Sequence, residues 1–244
     1  MNTQTVNLSE IFASVEGEGV NLGRPAVFVR LAGCNLACSF CDTGYAREES
    51  DFASVHVSGD TTLVPNPVDC ETVLSVITTG FPDERTVVLT GGEPLVQVDA
   101  VRHLARRLRL RGYTVHLETN GTLGGALEGI RDLIDFVCMD IKLPSSQQGV
   151  NHKREHRIFL EMLGHTDCAV KIVVTPEATA SEFEEAVGLI EDVNPHLPVL
   201  IQPAFTDSRP AVGARKILDF REAAASRLRD VRISIQLHKI LGVR

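Results

Sequence analysis

From residue 68 onward, short apolar runs alternate with segments of helical pattern, and that alternation limits the fold more than any other feature. Runs at 86–90, 113–118, 135–141, 169–174, 198–201 and 231–235 read as strands. Residues 68–79, 98–111, 125–133, 152–163, 181–192 and 210–229 read as helices. The helix beginning at 181 opens on Ser181-Glu182-Phe183-Glu184, a capping-box pattern. Strands that alternate with helices lie parallel and are joined by right-handed crossovers. An earlier run at 25–33 adds a buried strand, with Pro25 at its first residue, where no ladder donor is lost. No glycine-rich phosphate fingerprint follows that first strand. The pattern therefore predicts an α/β fold, a partial (open) TIM-like barrel of about six parallel strands, rather than a dinucleotide-binding sheet. Residues 5–20 form a strand-and-loop extension in front of it. Residues 44–68 are irregular, with a hairpin near 55–64, and are expected as an insertion over the site. The whole chain, 1–244, is expected to be one domain.

Chemistry in such a fold belongs at the C-terminal ends of the strands, and the polar motifs fall there. A cysteine loop, residues 33–43, follows the strand at 25–33. Thr90-Gly91-Gly92-Glu93-Pro94, Glu118-Thr119-Asn120-Gly121-Thr122, Asp140-Ile141-Lys142 and Gln202-Pro203-Ala204-Phe205 follow later strands. Loops of this kind on one rim predict a shared site. Arg30 interrupts an apolar run just before the cysteines, so an anionic partner is expected for it. Glu16-Gly17-Glu18-Gly19 suits either a polar turn or a backbone that comes close to a polar ligand.

Cys34, Cys38 and Cys41 are spaced C-x3-C-x2-C, and no fourth cysteine follows nearby. Three thiolates on one loop can hold three irons of a [4Fe-4S] cluster and leave the fourth iron to an exogenous ligand. Zinc is the competing reading, but a structural zinc site is normally closed by a fourth ligand. Cys138 and Cys168 lie in apolar strands and are expected to be buried, inert thiols. Cysteine clustering and the lack of a leader argue against a disulfide framework and for a cytoplasmic address. No apolar run approaches the roughly 18 residues of a membrane span. A net charge of −8 argues against sequence-independent nucleic-acid binding. The basic run at 102–111 reads as the solvated face of an amphipathic helix.

The cysteine spacing, with Phe40 before the last cysteine, resembles the signature of radical S-adenosylmethionine (SAM) enzymes, and Gly91-Gly92-Glu93-Pro94 resembles their second motif. The flanks narrow the family. Residues 12–19, 24–30, Cys41-Asp42-Thr43 and Gln236-Leu237-His238-Lys239 are similar to the 7-carboxy-7-deazaguanine synthase family along the whole chain. The resemblance implies that Cys34, Cys38 and Cys41 bind the cluster and that Thr43 binds a Mg²⁺ shared with a substrate carboxylate. It implies substrate contacts from Val15, Glu16, Gly17, Glu18, Arg30, Thr90, His238 and Arg244, with Glu18 and His238 as hydrogen-bonding or proton-transfer groups. Phe40, Gly92, Glu93, Asp140, Ile141, Lys142, Gln202, Pro203, Ala204 and Phe205 would hold SAM.

The reaction so implied turns 6-carboxy-5,6,7,8-tetrahydropterin into 7-carboxy-7-deazaguanine through hydrogen abstraction by a 5′-deoxyadenosyl radical and loss of ammonia. A one-electron donor such as flavodoxin or ferredoxin and a homodimeric state are implied with it, and no membrane or nucleic-acid partner. Two positions depart from the family. Its loop more often reads Gln-Gly-Glu-Gly, and an amide donates as well as accepts whereas an ionised Glu16 only accepts. Its last residue is often Pro, whereas this chain has Arg244. The alternatives are another radical SAM enzyme, such as an activase that makes a glycyl radical on a protein partner, and a non-enzymatic zinc module.

Overall fold

The structure, a computed structural model, describes residues 4–244. Its N-terminal third contains β1 (Thr5–Val6), β2 (Leu8–Val15), β3 (Pro25–Leu31), β4 (Phe52–Val57), β5 (Asp60–Pro65), β6 (Val68–Asp69) and α1 (Cys70–Gly80). The alternating part follows as β7 (Thr86–Gly91), α2 (Val98–Arg109), β8 (Thr114–Thr119), α3 (Gly124–Glu128), β9 (Phe136–Ile141), α4 (Lys153–Leu163), β10 (Cys168–Val174) and α5 (Ala180–Val193). It ends with β11 (Pro198–Pro203), β12 (Phe205–Thr206), β13 (Arg209–Pro210), α6 (Ala214–Ala225), β14 (Asp230–Ile233) and α7 (Leu237–Leu241).

Ten strands share one sheet in the order β14-β11-β10-β9-β8-β7-β3-β2-β4-β5. Every neighbouring pair from β3 to β14 is parallel. The parallel run is thus seven strands rather than about six, and β14 and β5 end the row, so the barrel stays open. β2 runs antiparallel to β3 and supplies the expected N-terminal extension.

The period of two along these strands divides the interior. Val27, Val29, Val87, Leu89, Val115, Leu117, Val137 and Met139 face outward, into a core shared with Leu104, Leu108, Phe159 and Phe183 of the helices. The intervening residues face the lumen, where Phe12, Ala26, Phe28 and Val88 form a separate apolar cluster. Further along the same inward rows the residues turn polar: Arg30, Thr90, Glu118, Asp140, Lys171 and Gln202. Arg30 lies level with Thr90, and Asp140 with Lys171, so this polar layer is a property of sheet register.

Three local expectations change. Residues 44–68, expected over the site, mostly extend the sheet: β4 pairs with β2, β5 pairs back on β4, and Tyr45 alone of residues 44–68 lines the cleft. The helix expected at 125–133 breaks after Glu128, and Arg131–Leu133 continues as a 3-10 turn. The cap of α5 lies two residues before the predicted one, because Thr179 and Glu182 form the capping box. The basic run does lie on α2, where Arg107 pairs with Glu71 at 3.0 Å and Arg109 pairs with Asp135. Exposed pairs of this kind are worth about 0–1 kcal/mol each.

The cap assignment is testable. Thr179→Ala is expected to cost about 1 kcal/mol in urea denaturation, and Ser181→Ala to stay within about 0.5 kcal/mol. The reverse order would restore the cap predicted at Ser181.

Candidate active site

A cleft of about 360 Å³ opens where the parallel strands end. One wall is the cysteine loop. Cys34, Cys38 and Cys41 are unpaired and half-buried, and all three line the cleft. Their loop is held by its backbone: Ser39 donates to Ser146 at 3.0 Å and Cys41 to Cys38 at 3.2 Å. From the other side the end of β7 presses against it, with Gly92 donating to Leu31 at 3.1 Å and Glu93 to Gly33 at 2.8 Å. A Cβ on Gly91 would lie 2.3 Å from the Leu31 carbonyl oxygen. One on Gly92 would lie 2.4 Å from the Gly33 oxygen and 2.8 Å from Cys34 Cβ. Only glycine permits that approach.

Glu93, expected against SAM, is fully buried beneath this junction and does not line the cleft. Its carboxylate accepts from the Leu95 amide (3.0 Å), Thr119 Oγ1 (2.8 Å) and the Asn120 amide (2.7 Å). Burial pushes its pKa up to about 7 against the pull of these donors. As placed, it ties the β7 loop to the β8 loop.

The middle of the cleft is a charge array. Lys171 Nζ contacts Glu18 and lies 3.3 Å from Asp140 Oδ1. Lys142 Nζ lies 2.6 Å from Asp140 Oδ2 and 5.2 Å from the centre of the Phe40 ring. Against the effect of burial, Lys142 and Lys171 hold the Asp140 carboxyl below its usual range. Glu118, which accepts from Thr90 Oγ1 at 2.8 Å, is pushed up by burial.

The far wall joins the two chain ends. Glu10, on β2, receives Arg30 at 2.9 Å, Tyr45 at 2.7 Å and Arg244 at 2.8 Å. Against burial, Tyr45, Arg30 and Arg244 lower its pKa. Ser14 also donates to the Arg244 carbonyl oxygen at 2.7 Å. Leu237 donates to Gly17 at 2.8 Å, and a Cβ on Gly17 would lie 2.2 Å from His238 Nδ1. Gln236 bridges Glu18 (2.6 Å) and Asp42 (3.2 Å). Glu18, Asp42 and His238 converge within 4.8 Å. Lysines already balance both carboxylates, Lys171 on Glu18 and Lys239 on Asp42, so the trio serves here to pin the tail.

Most residues singled out in the sequence therefore meet. Val15, Gly17, Glu18, Arg30, Thr90, His238 and Arg244 line the cleft, as do Phe40, Thr43, Gly92, Asp140, Lys142, Gln202, Ala204 and Phe205. Glu16, Ile141 and Pro203, like Glu93, are not in its lining. Glu16 turns beneath its own loop and is buried, with Oε1 3.2 Å from Nδ1 of the buried His116 but no hydrogen bond between them. Ile141 falls on the outward row and packs in the helix-covered core. Pro203 ends β11 and is buried. Cys138, expected to be buried, is half-buried and lines the lumen, where desolvation pushes its thiol well up, whereas Cys168 is buried as expected. Lys171, Glu10, Tyr45 and Gln236 were missed. Lys171 carried a usable signal, a single charge inside the apolar run of β10, the same signal that marked Arg30.

The model of the radical SAM superfamily matches residues 29–190. The 7-carboxy-7-deazaguanine synthase of Geobacter sulfurreducens is 34% identical over 99% of both chains. That of Methanopyrus kandleri is 36% identical over 98% of this chain and 94% of its own. The chain belongs to the 7-carboxy-7-deazaguanine synthase family. The crystal structure of QueE from Escherichia coli has a TM-score of 0.62 at 22% identity, covers 95% of this chain and shares the fold. As a member of the radical SAM superfamily, this 7-carboxy-7-deazaguanine synthase homologue uses a [4Fe-4S] cluster and SAM. Its residues fit them: three free thiols face one cleft beside a Gly91-Gly92 backbone that a Cβ would obstruct.

Because Gly92 packs on the cysteine loop, Gly92→Ala is expected to displace Cys34. Iron retained after anaerobic reconstitution should fall below about one third of the parent value with the far-ultraviolet circular dichroism unchanged. Full iron retention would separate this glycine from cluster assembly.

Proposed function

We propose that this chain converts 6-carboxy-5,6,7,8-tetrahydropterin into 7-carboxy-7-deazaguanine with release of ammonia. One observation carries the reading: the three thiols share a 360 Å³ cleft with Glu18, Arg30, Thr90 and His238, in a chain related over its full length to 7-carboxy-7-deazaguanine synthases. A cluster held by Cys34, Cys38 and Cys41 and reduced by an external donor would, with SAM, supply the radical hydrogen abstraction that the ring contraction needs.

The chain supplies placement. Phe40, Lys142, Asp140, Gly92, Gln202, Ala204 and Phe205 form the SAM side of the cleft. Val15, Gly17, Glu18, Thr90 and His238 form the substrate side, where Glu18 accepts hydrogen bonds from ring N–H groups. Arg30 and Arg244 bring positive charge to the substrate carboxylate, each oriented by Glu10. Thr43, which lines the cleft, would offer a hard hydroxyl oxygen to a Mg²⁺, which would supply positive charge for the substrate carboxylate. His238, stacked over Gly17, is positioned to pass a proton to the departing ammonia. The tail from Gln236 to Arg244 shuts the cleft at the side of β2 and excludes water.

The chain acts on a small molecule and needs a reductant, for which we propose flavodoxin or ferredoxin. We further propose a cytoplasmic homodimer; Ile233, Ile235, Ile240 and Leu241 offer exposed apolar surface near the C-terminus. Among the described residues, no helix is long and apolar enough to cross a membrane. A glycyl-radical activase must admit a peptide loop, and a cleft of this size tied shut by the chain end favours a small substrate.

Anaerobic reconstitution followed by incubation with reductant, SAM and the tetrahydropterin tests the assignment. The expected products are 7-carboxy-7-deazaguanine and 5′-deoxyadenosine, and Cys38→Ala should abolish both. 5′-Deoxyadenosine without ring contraction would refute the substrate, and a colourless zinc protein would refute the enzyme. Thr43→Ala is expected to raise the Mg²⁺ concentration giving half-maximal rate at least tenfold; an unchanged value would remove Thr43 as a ligand.

A further inference from the structure

We propose that Lys171 is a positioning residue: its buried ammonium holds the Glu18 carboxylate out toward the substrate and keeps it apart from Asp140 and Glu118. The inference rests on the proposed substrate. Lys171 sits midway along β10, level with Asp140 on β9, and projects into the lumen. It touches Glu18 from the N-terminal loop and approaches Asp140 to 3.3 Å, so one ammonium joins the substrate side of the cleft to the SAM side. Only 11% of the Lys171 side chain and 16% of the Glu18 side chain are exposed.

Three carboxylates, Glu18, Glu118 and Asp140, line this part of the cleft with the Cys138 thiol beside them. Carboxylates so placed repel one another unless a cation intervenes. Burial alone would drive the lysine neutral, but the carboxylates, Asp140 and Glu18 foremost, keep it protonated well above the ordinary lysine range. A lysine held so firmly charged does not act as a nucleophile or a base. Its use is electrostatic.

The two carboxylates it touches are not equally dependent on it. Asp140 has a second ammonium, Lys142, at 2.6 Å. Among the described residues, Glu18 has Lys171 as its only ion-pair partner, and its other donor is the neutral Gln236 amide at 2.6 Å. Asp42 and His238 lie near it on the tail side, with Lys239 spent on Asp42 at 3.1 Å. Loss of Lys171 therefore leaves Asp140 balanced and Glu18 facing other carboxylates alone. Substrate binding should suffer, and SAM binding should not.

The test is equilibrium binding to reconstituted holoenzyme without reductant, so that no turnover intervenes. In Lys171→Met, the Kd for 6-carboxytetrahydropterin in the presence of SAM is expected to rise at least tenfold, while the Kd for SAM changes less than threefold. Lys171→Arg, which keeps the charge, should recover most of the lost substrate affinity. In a Glu18→Gln background the same Lys171→Met change should add less than threefold, because the charge it balances is gone. Unchanged substrate affinity, an equal loss for both ligands, or an undiminished loss in the Glu18→Gln background would each overturn the proposal. If Lys171→Met does not retain iron, Lys171→Gln carries the same comparison with the same outcomes. A parent enzyme that binds no tetrahydropterin overturns the substrate reading and this inference with it. Binding by the parent with no effect of the substitutions overturns this inference alone.

Discussion

Two glycine residues at the end of one strand, pressed against the backbone of its neighbour, hold this site together. Gly91 and Gly92 bring β7 so close to Leu31 and Gly33 that any side chain there would collide with main-chain atoms. The contact cannot adjust by turning a rotamer, because the obstructing atoms are carbonyls and a Cβ. It therefore sets the distance between the cysteine loop and the next strand end. Glu93 carries the constraint one strand further through its bonds to Thr119 and Asn120. Three loops far apart in sequence thus become one wall.

The opposite wall is built on a different principle. Most of its residues come from β2 and the C-terminal tail, and polar and charged contacts join them. Glu10 collects Arg30, Tyr45 and Arg244, while Asp42 collects His238 and Lys239. Glu10 is buried whereas Arg244 and Asp42 are exposed, so these pairs add little net stability, but removing the cations around Glu10 leaves a buried charge uncompensated. Such an arrangement specifies geometry more than it adds stability.

Much of the site was legible because its signals are local. The cysteine spacing, the Gly-Gly-Glu-Pro turn and the polar residues after each strand all occupy short windows, and their rim placement follows from the parallel sheet. The failures have local causes too. Ile141 sits between Asp140 and Lys142 in one motif, yet the period of two sends its side chain to the helix-covered face. Glu93 lies within the same motif as Gly92, but the loop turns it under the floor. Glu16 looks like its neighbour Glu18 in sequence, and only the fold reveals His116 beneath it. The cap of α5 was displaced because Thr179 and Ser181 both precede a Glu at the right spacing. Backbone geometry chose between them.

Strand–helix alternation and the placing of polar motifs determined by themselves the parallel open sheet, the rim on which chemistry occurs, and three thiols on one loop of that rim, while the class of cofactor came with the family resemblance. These follow from periodicity and ligand count, which are properties of contiguous sequence. Tertiary structure alone decided which polar groups meet: Lys171 with Glu18 and Asp140, Arg244 with Glu10, Glu16 beside His116. Those pairs join residues between 30 and more than 200 positions apart, and strand register and loop path set the distances between them. Electrostatic interaction depends on that separation and on burial, and a linear sequence contains neither quantity.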